Sequence, residues 1–282
     1  MKIQAVIWMF GTLFSFCAMA VAARELSGDI HTLQMLLVRS LIGLSVIGGI
    51  IVCRRQFTLL KTQRIGLHAT RNVFHFSGQY GWFVGIGLLP LAEVFALEFT
   101  VPVWTALIAA IFLAEPLTKV KTFAIVLSLI GVAIILQPGR EMIDSASFIV
   151  LAAALCYAIA YTNSKALSVT EQPLTILFYM CLLQLPLALV LGASVWAWPT
   201  FEQWLWLMLI AFTALTAHYC LTKAMQLEEV SKVVTMDFMR LPLVALLGVL
   251  LYQEPFEISL IIGALLILVA NITNMKAAPK PR

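Results

Sequence analysis

Apolar runs of about twenty residues recur along the whole chain, each long enough to cross a hydrocarbon core of about 30 Å as a helix. They fall at about 3–23, 33–53, 66–88, 91–113, 119–137, 146–165, 173–194, 203–223, 230–251 and 257–275. Within a bilayer only helices and closed barrels satisfy the backbone. These runs are continuous and lack the strict in-out alternation of barrel strands. The chain is therefore predicted to be an all-α polytopic membrane protein with ten transmembrane helices. Its composition, 62% hydrophobic and 11% charged, agrees; soluble domains sit near roughly half and roughly a quarter. The connections are too short to build an extramembrane domain. The breaks carry turn or charge chemistry, as at Ser27-Gly28-Asp29, Arg54-Arg55-Gln56, Gln137-Pro138-Gly139 and Trp198-Pro199. The first run has one lysine and no small-residue cleavage site ahead of a polar chain, so it reads as a retained helix. The five cysteines are scattered through apolar segments with no CxxC pair, which signals neither a disulfide framework nor a zinc site.

The chain is also built twice. Leu89 to Pro116 and Leu227 to Pro255 share one plan: Glu93-Val94 matches Glu229-Val230, Pro102 matches Pro242, and Glu115-Pro116 matches Glu254-Pro255, at offsets of 136, 140 and 139. Glu98 precedes its proline by four residues and Asp237 precedes its own by five, about one helical turn each. Arg24-Glu25-Leu26-Ser27 likewise matches Lys165-Ala166-Leu167-Ser168. Residues 1–139 and 144–275 form the two copies, followed by a short basic tail at 276–282. Five spans per copy is an odd number, so the copies run in opposite directions across the membrane. Such an inverted repeat points to a site between the halves near the midplane. If the amino terminus is cytoplasmic, thirteen of the eighteen Lys and Arg residues fall inside, two (Arg24 and Arg140) fall outside, and Arg39, Arg71 and Arg240 lie within spans. By the positive-inside rule both termini are cytoplasmic.

The residues of LPLAEVFALEFTVPVWTALIAAIFLAEP with the following GVAIILQPG, and of MDFMRLPLVALLGVLLYQEP with GALLIL, resemble the drug/metabolite transporter superfamily, in the branch whose halves are EamA domains. The similarity covers nearly the whole chain, and Arg39 in LLVRS fits the family too. The resemblance implies ten helices, alternating access and a central cavity lined mainly by spans 1, 3, 4, 6, 8 and 9. The superfamily carries amino acids, vitamins, nucleotide-linked metabolites and drugs. Members most similar to this branch are proposed carriers of S-adenosylmethionine or riboflavin. The small four-helix members have a carboxylate in their first span; this chain has none, so their coupling residue does not transfer.

Ionisable groups within spans are candidates for function because an ionised side chain in the bilayer interior is costly. In span 3, His68, Arg71, His75 and Gln79 are spaced three, four and four apart and share one helical face. That face reads as a hydrogen-bonding, cationic wall for an anionic or zwitterionic solute. The plainer reading leaves His68 and Arg71 near the interface and only His75 and Gln79 deep. Glu98 could bind a substrate cation, carry a coupling proton or pair with an interior arginine; Glu93 reads as a helix cap. Asp237 and Arg240, three apart, can pair on their own helix. His218, which corresponds roughly to Trp82-Phe83 in the repeat, could relay protons or be an ordinary core histidine. The expected substrate-binding set is Arg71, His75, Gln79, Glu98 and Asp237, with Trp8, Trp82 and Tyr157 as pocket walls. Candidate coupling or gating residues are Glu98, His218, Arg240, Glu115 and Glu254. The plainer reading of the last two is helix punctuation beside charged headgroups. Gly48-Gly49 and Gly85-x-Gly87 read as close helix contacts.

Walker, dinucleotide, HExxH and GxSxG motifs are absent from the sequence. No cofactor, metal site or nucleic-acid partner is indicated, and the chain does not read as an enzyme. The expected function is secondary transport of a small polar or amphipathic organic metabolite across the inner membrane. Its partners would be that small molecule, the lipid bilayer and a proton or other coupling ion, with monomer and homodimer both open. The rival readings are an integral-membrane enzyme acting on a lipid and a non-transporting interaction subunit.

Overall fold

The computed structural model describes residues 3–112, 118–136, 144–228, 233, 236–255 and 257–277. Among them are eleven helices: α1 (Ile3–Glu25), α2 (Thr32–Cys53), α3 (Ile65–Leu88), α4 (Leu91–Glu98), α5 (Val101–Phe112), α6 (Lys119–Leu136), α7 (Ser145–Ser168), α8 (Pro173–Gly192), α9 (Phe201–Leu227), α10 (Arg240–Tyr252) and α11 (Ile258–Ala277). No strand occurs among the described residues. Six segments, beginning with α1, α2, α6, α7, α8 and α9, are long and apolar enough to cross a membrane. Helix α3 is as long but lies outside that set. It carries His68, Arg71, Asn72, His75 and Gln79, all buried against protein.

Local chemistry sets the helix starts. Asp144 Oδ1 accepts the amide of Ala146 at 2.8 Å, and Thr200 with Gln203 forms a reciprocal capping box at α9. Pro173 opens α8, where its missing amide proton is not needed. Gly28, at φ +89°, makes the turn between α1 and α2.

Span 4, expected as one helix over 91–113, is instead two. Helix α4 ends at Glu98, and α5 begins at Val101. Pro102 has no amide to give to the Glu98 carbonyl, so the ladder opens there. The freed Phe99 carbonyl is taken by Asn271 Nδ2 of α11 at 2.7 Å. In span 9 a turn at 238–239 precedes α10, two residues before Pro242. Both copies therefore break at the same place, just beyond their acidic residue. Glu115, Pro116, Glu229, Val230, Gln137, Pro138, Gly139 and Arg140 lie outside the described residues.

The packing partners reveal the symmetry of the bundle. Helix α1 packs on α9, α3 on α7, α2 on α8, α4 on α10 and α6 on α11. In span numbers these pairs are 1 with 8, 3 with 6, 2 with 7, 4 with 9 and 5 with 10. Adding or subtracting five spans maps this set onto itself: spans 2, 4 and 5 each meet their own equivalent, and the other two pairs exchange. A pseudo-twofold axis between the copies produces that pattern.

Small residues allow the closest approaches. A Cβ on Gly131 of α6 would stand 2.7 Å from the Gly263 carbonyl of α11, and one on Gly263 would stand 2.6 Å from the Gly131 carbonyl. Gly85 is closed off by Val150 and Gly87 by Ser27, as expected for close contacts. Gly48 and Gly49 differ from expectation, since nothing lies within 4 Å of a Cβ on either. They face outward and bring no helix closer.

Candidate functional site

Where the broken spans meet α1, α3, α7 and α9, the bundle encloses a contracted cavity of about 10 Å³. That is room for about one water. It is lined by Phe16 and Met19 of α1, His75, Gln79, Trp82 and Phe83 of α3, Glu98 of α4, Tyr157 and Tyr161 of α7, His218 of α9 and Arg240 of α10. These helices are spans 1, 3, 4, 6, 8 and 9. Of the residues singled out from sequence, His75, Gln79, Glu98, Trp82, Tyr157, His218 and Arg240 are thus brought together.

The electrostatic centre is a triad across the two copies. Arg240 Nη2 donates to Asp237 Oδ2 on its own span and stands 3.4 Å from Glu98 Oε1 of span 4. Trp82 Nε1 donates to the other Glu98 oxygen at 2.9 Å. The guanidinium carbon of Arg240 also lies 4.5 Å from the ring centre of Phe16, 5.3 Å from that of Phe95 and 5.4 Å from that of Phe99. Aromatic faces favour a cation there. Two carboxylates therefore share one guanidinium, and that guanidinium fills an aromatic cage.

A second polar group adjoins the cavity. His75 Nδ1 is 3.0 Å from Gln184 Nε2, and its ring meets His218 at 4.8 Å and Tyr157 at 5.7 Å. Arg71 does not line the cavity and does not reach an interface. It is buried, donating to Ser164 Oγ at 3.0 Å and to Asn72 Oδ1 at 2.7 Å. Arg39 donates to Gln79 Oε1 and stands 3.5 Å from Gln184 Oε1. Tyr157 and Tyr161 are stacked, with centroids 5.6 Å apart and planes 7° from parallel.

Trp8 lies elsewhere, edge-on to Tyr219 at 5.8 Å and packed against a separate cluster with Met9. Glu254 is far from the cavity and does more than end a helix. Its carboxylate takes the Leu91 amide at the start of α4 at 2.9 Å and pairs with Arg24 of α1 at 2.8 Å. Glu115 lies outside the described residues. Sequence reasoning missed Gln184, Asn72 and Asn271. Gln184 is a lone amide in an apolar run, Asn72 follows Arg71 in the polar stretch of α3 and Asn271 lies in the last span. Depth within a span was the signal available for all three.

Comparison with known proteins places this geometry. An S-adenosylmethionine uptake transporter of Rickettsia bellii is 22% identical over 265 residues, covering 94% of this chain and 91% of that protein. A riboflavin transporter of Brucella anthropi is 30% identical over 224 residues, covering 77% and 78%. A solved crystal structure shares the fold with a TM-score of 0.67 at 17% identity, over 97% of this chain and 96% of that one. The sequence profile of the EamA-like transporter family matches residues 3–137 and, a second time, residues 144–274. The chain belongs to the EamA-like transporter family.

Proposed function

We propose that this transporter moves a small polar or amphipathic organic metabolite across the inner membrane by alternating access, with both termini cytoplasmic. The observation that carries the reading is the Glu98–Arg240–Asp237 triad. It joins the two discontinuous spans across the pseudo-twofold axis, which is where inverted-repeat carriers place their site. A cavity of about 10 Å³ holds no metabolite; pockets that do so run to about 300–1,000 Å³. The copies must separate at the triad to admit one. Because two carboxylates share one guanidinium, one negative charge is left for a substrate cation or a coupling proton. Glu98, whose distance to Arg240 is the longer of the two, takes that part. His75, Gln79, Trp82, Tyr157 and His218 are the remaining contacts, with Arg71 and Asp237 directly behind them. S-adenosylmethionine, riboflavin and amino acids are the opening candidates. An enzyme acting on a lipid would cluster its acids and bases at one interface, whereas these groups meet at the centre.

The test is counterflow of labelled S-adenosylmethionine, riboflavin and pooled amino acids in liposomes, with Glu98→Gln beside the wild type. One solute should accumulate in the wild type and be competed by its unlabelled form. The variant should lose at least about tenfold in rate or lose dependence on the proton gradient, a coupling of about 1.4 kcal/mol. Unchanged rate and unchanged pH dependence in the variant would remove Glu98 from the mechanism.

A further inference from the structure

We infer that Arg39 and Arg71 form an anion-binding subsite beside the central cavity, so that the transported solute carries a carboxylate or phosphate group. This rests on the carrier reading for what the anion belongs to, though not for whether it binds. Arg39 is 3% exposed and Arg71 is 2% exposed. Neither pairs with a carboxylate among the described residues. Their side-chain partners are all uncharged: Gln79, Gln184 and the Met180 sulfur for Arg39, and Ser164 and Asn72 for Arg71.

Amides and hydroxyls satisfy hydrogen bonds but leave the charge unbalanced, and an unpaired buried charge is costly. The charge count of the centre points the same way. Glu98 and Asp237 already share Arg240, so the five groups together carry three positive charges against at most two negative ones. An incoming anion corrects the imbalance.

The two arginines are also linked as one unit. Gln184 faces Arg39 with its Oε1 at 3.5 Å and gives its Nε2 to Asn72 Oδ1 at 3.2 Å, the same oxygen that accepts from Arg71. This unit reaches the cavity through Gln79 and His75, both of which line it. Arg39 Nε and His75 Nε2 are buried with no hydrogen-bond partner, so donor capacity remains for a visitor. The amides rotate easily and act as stand-ins for an oxyanion, and a guanidinium fork fits carboxylate and phosphate alike. With the Glu98 end of the cavity suited to a cation, the complete site fits a bipolar solute.

The experiment is thermal unfolding of the purified protein titrated with sodium acetate, sodium phosphate and neutral acetamide, with sodium chloride holding ionic strength constant. Acetate or phosphate should raise the midpoint saturably and acetamide should not; the active anion says which group the solute carries. Arg39→Gln and Arg71→Gln should each weaken half-saturation by about tenfold, the loss of one charged hydrogen-bonding partner. Arg39→Lys, which keeps the charge and loses the fork, should fall between and covers the case of a variant that does not fold. No oxyanion effect beyond chloride on folded wild type overturns the subsite, as does an effect that survives in all three variants. Counterflow separates the two readings. Riboflavin carries neither a carboxylate nor a phosphate, so its counterflow in the wild type, unimpaired by Arg39→Gln, leaves the carrier and overturns the assignment of an anionic group to the solute. Anion binding in a protein that accumulates none of the solutes keeps the subsite and removes those solutes as its cargo.

Discussion

Arg240 lies at the end of a turn in span 9, yet it neutralises charge on both copies of the repeat. Removing it leaves the buried Glu98 and the half-buried Asp237 without the cation that both of them meet. Breaking one partner out of a buried pair costs about 3–5 kcal/mol, because the other charge stays behind. Arg240→Gln should therefore lower the unfolding midpoint sharply. Adding Glu98→Gln and Asp237→Asn should restore much of it, since the triad is then neutral throughout. A triple variant no more stable than Arg240→Gln alone would mean that the guanidinium acts by packing in its aromatic cage and not by charge. At this scale the sequence was informative where spacing encodes proximity. The i,i+3 pair Asp237–Arg240 and the shared face of His75 and Gln79 were both visible. Arg39 with Gln79 and Gln184 was not, because partners forty or more residues apart leave no local pattern. Trp8 failed for the opposite reason: its place within span 1 looked central, but helix rotation turns it towards Tyr219.

Among the elements, the two broken spans govern everything near the site. Proline explains why α4 stops, but not what becomes of the carbonyls beyond it. Asn271, from a helix 172 residues further on, takes the Phe99 carbonyl, and a sequence window cannot contain that bond. The same helix α4 is held at its start by Glu254, whose carboxylate meets Arg24 and the Leu91 amide together. Negative charge is favoured at a helix amino terminus, so this contact fastens spans 1, 4 and 9 at one end of the bundle. The start of α4 must come free if the copies are to part there. Glu254→Ala should accelerate hydrogen exchange of the Leu91 amide by about tenfold or more, as local opening becomes easier. Exchange at Leu91 equal to that of the wild type would reduce Glu254 to the punctuation that the sequence also allowed.

For the whole molecule, the ten-span count, the doubling and the packing pattern tell one story. Apolar length gave the spans to within a few residues, and the match of Pro102 with Pro242 marked spans 4 and 9 as equivalents; that they pack on each other came only from the folded chain. Interior distances required the folded chain, because the site is made of contacts between copies and each copy alone specifies only half of it. The remaining question is which end faces out. Thirteen cationic residues on one side against two on the other predict, by the positive-inside rule, that both termini are cytoplasmic. Arg24, one of those two, is already engaged by Glu254, so it does not oppose the bias. That prediction puts the Arg24–Glu254 contact at the outer face and the 54–64 connection inside. Alkaline phosphatase is active only when exported, whereas green fluorescent protein fluoresces only when left in the cytoplasm. Phosphatase fused after Asp29 should be active, and phosphatase fused within 54–64 should be inactive. A fluorescent protein at the carboxyl terminus should glow. The reverse pattern would turn the molecule over. The Arg24–Glu254 contact would then face the cytoplasm and the 54–64 connection would face out.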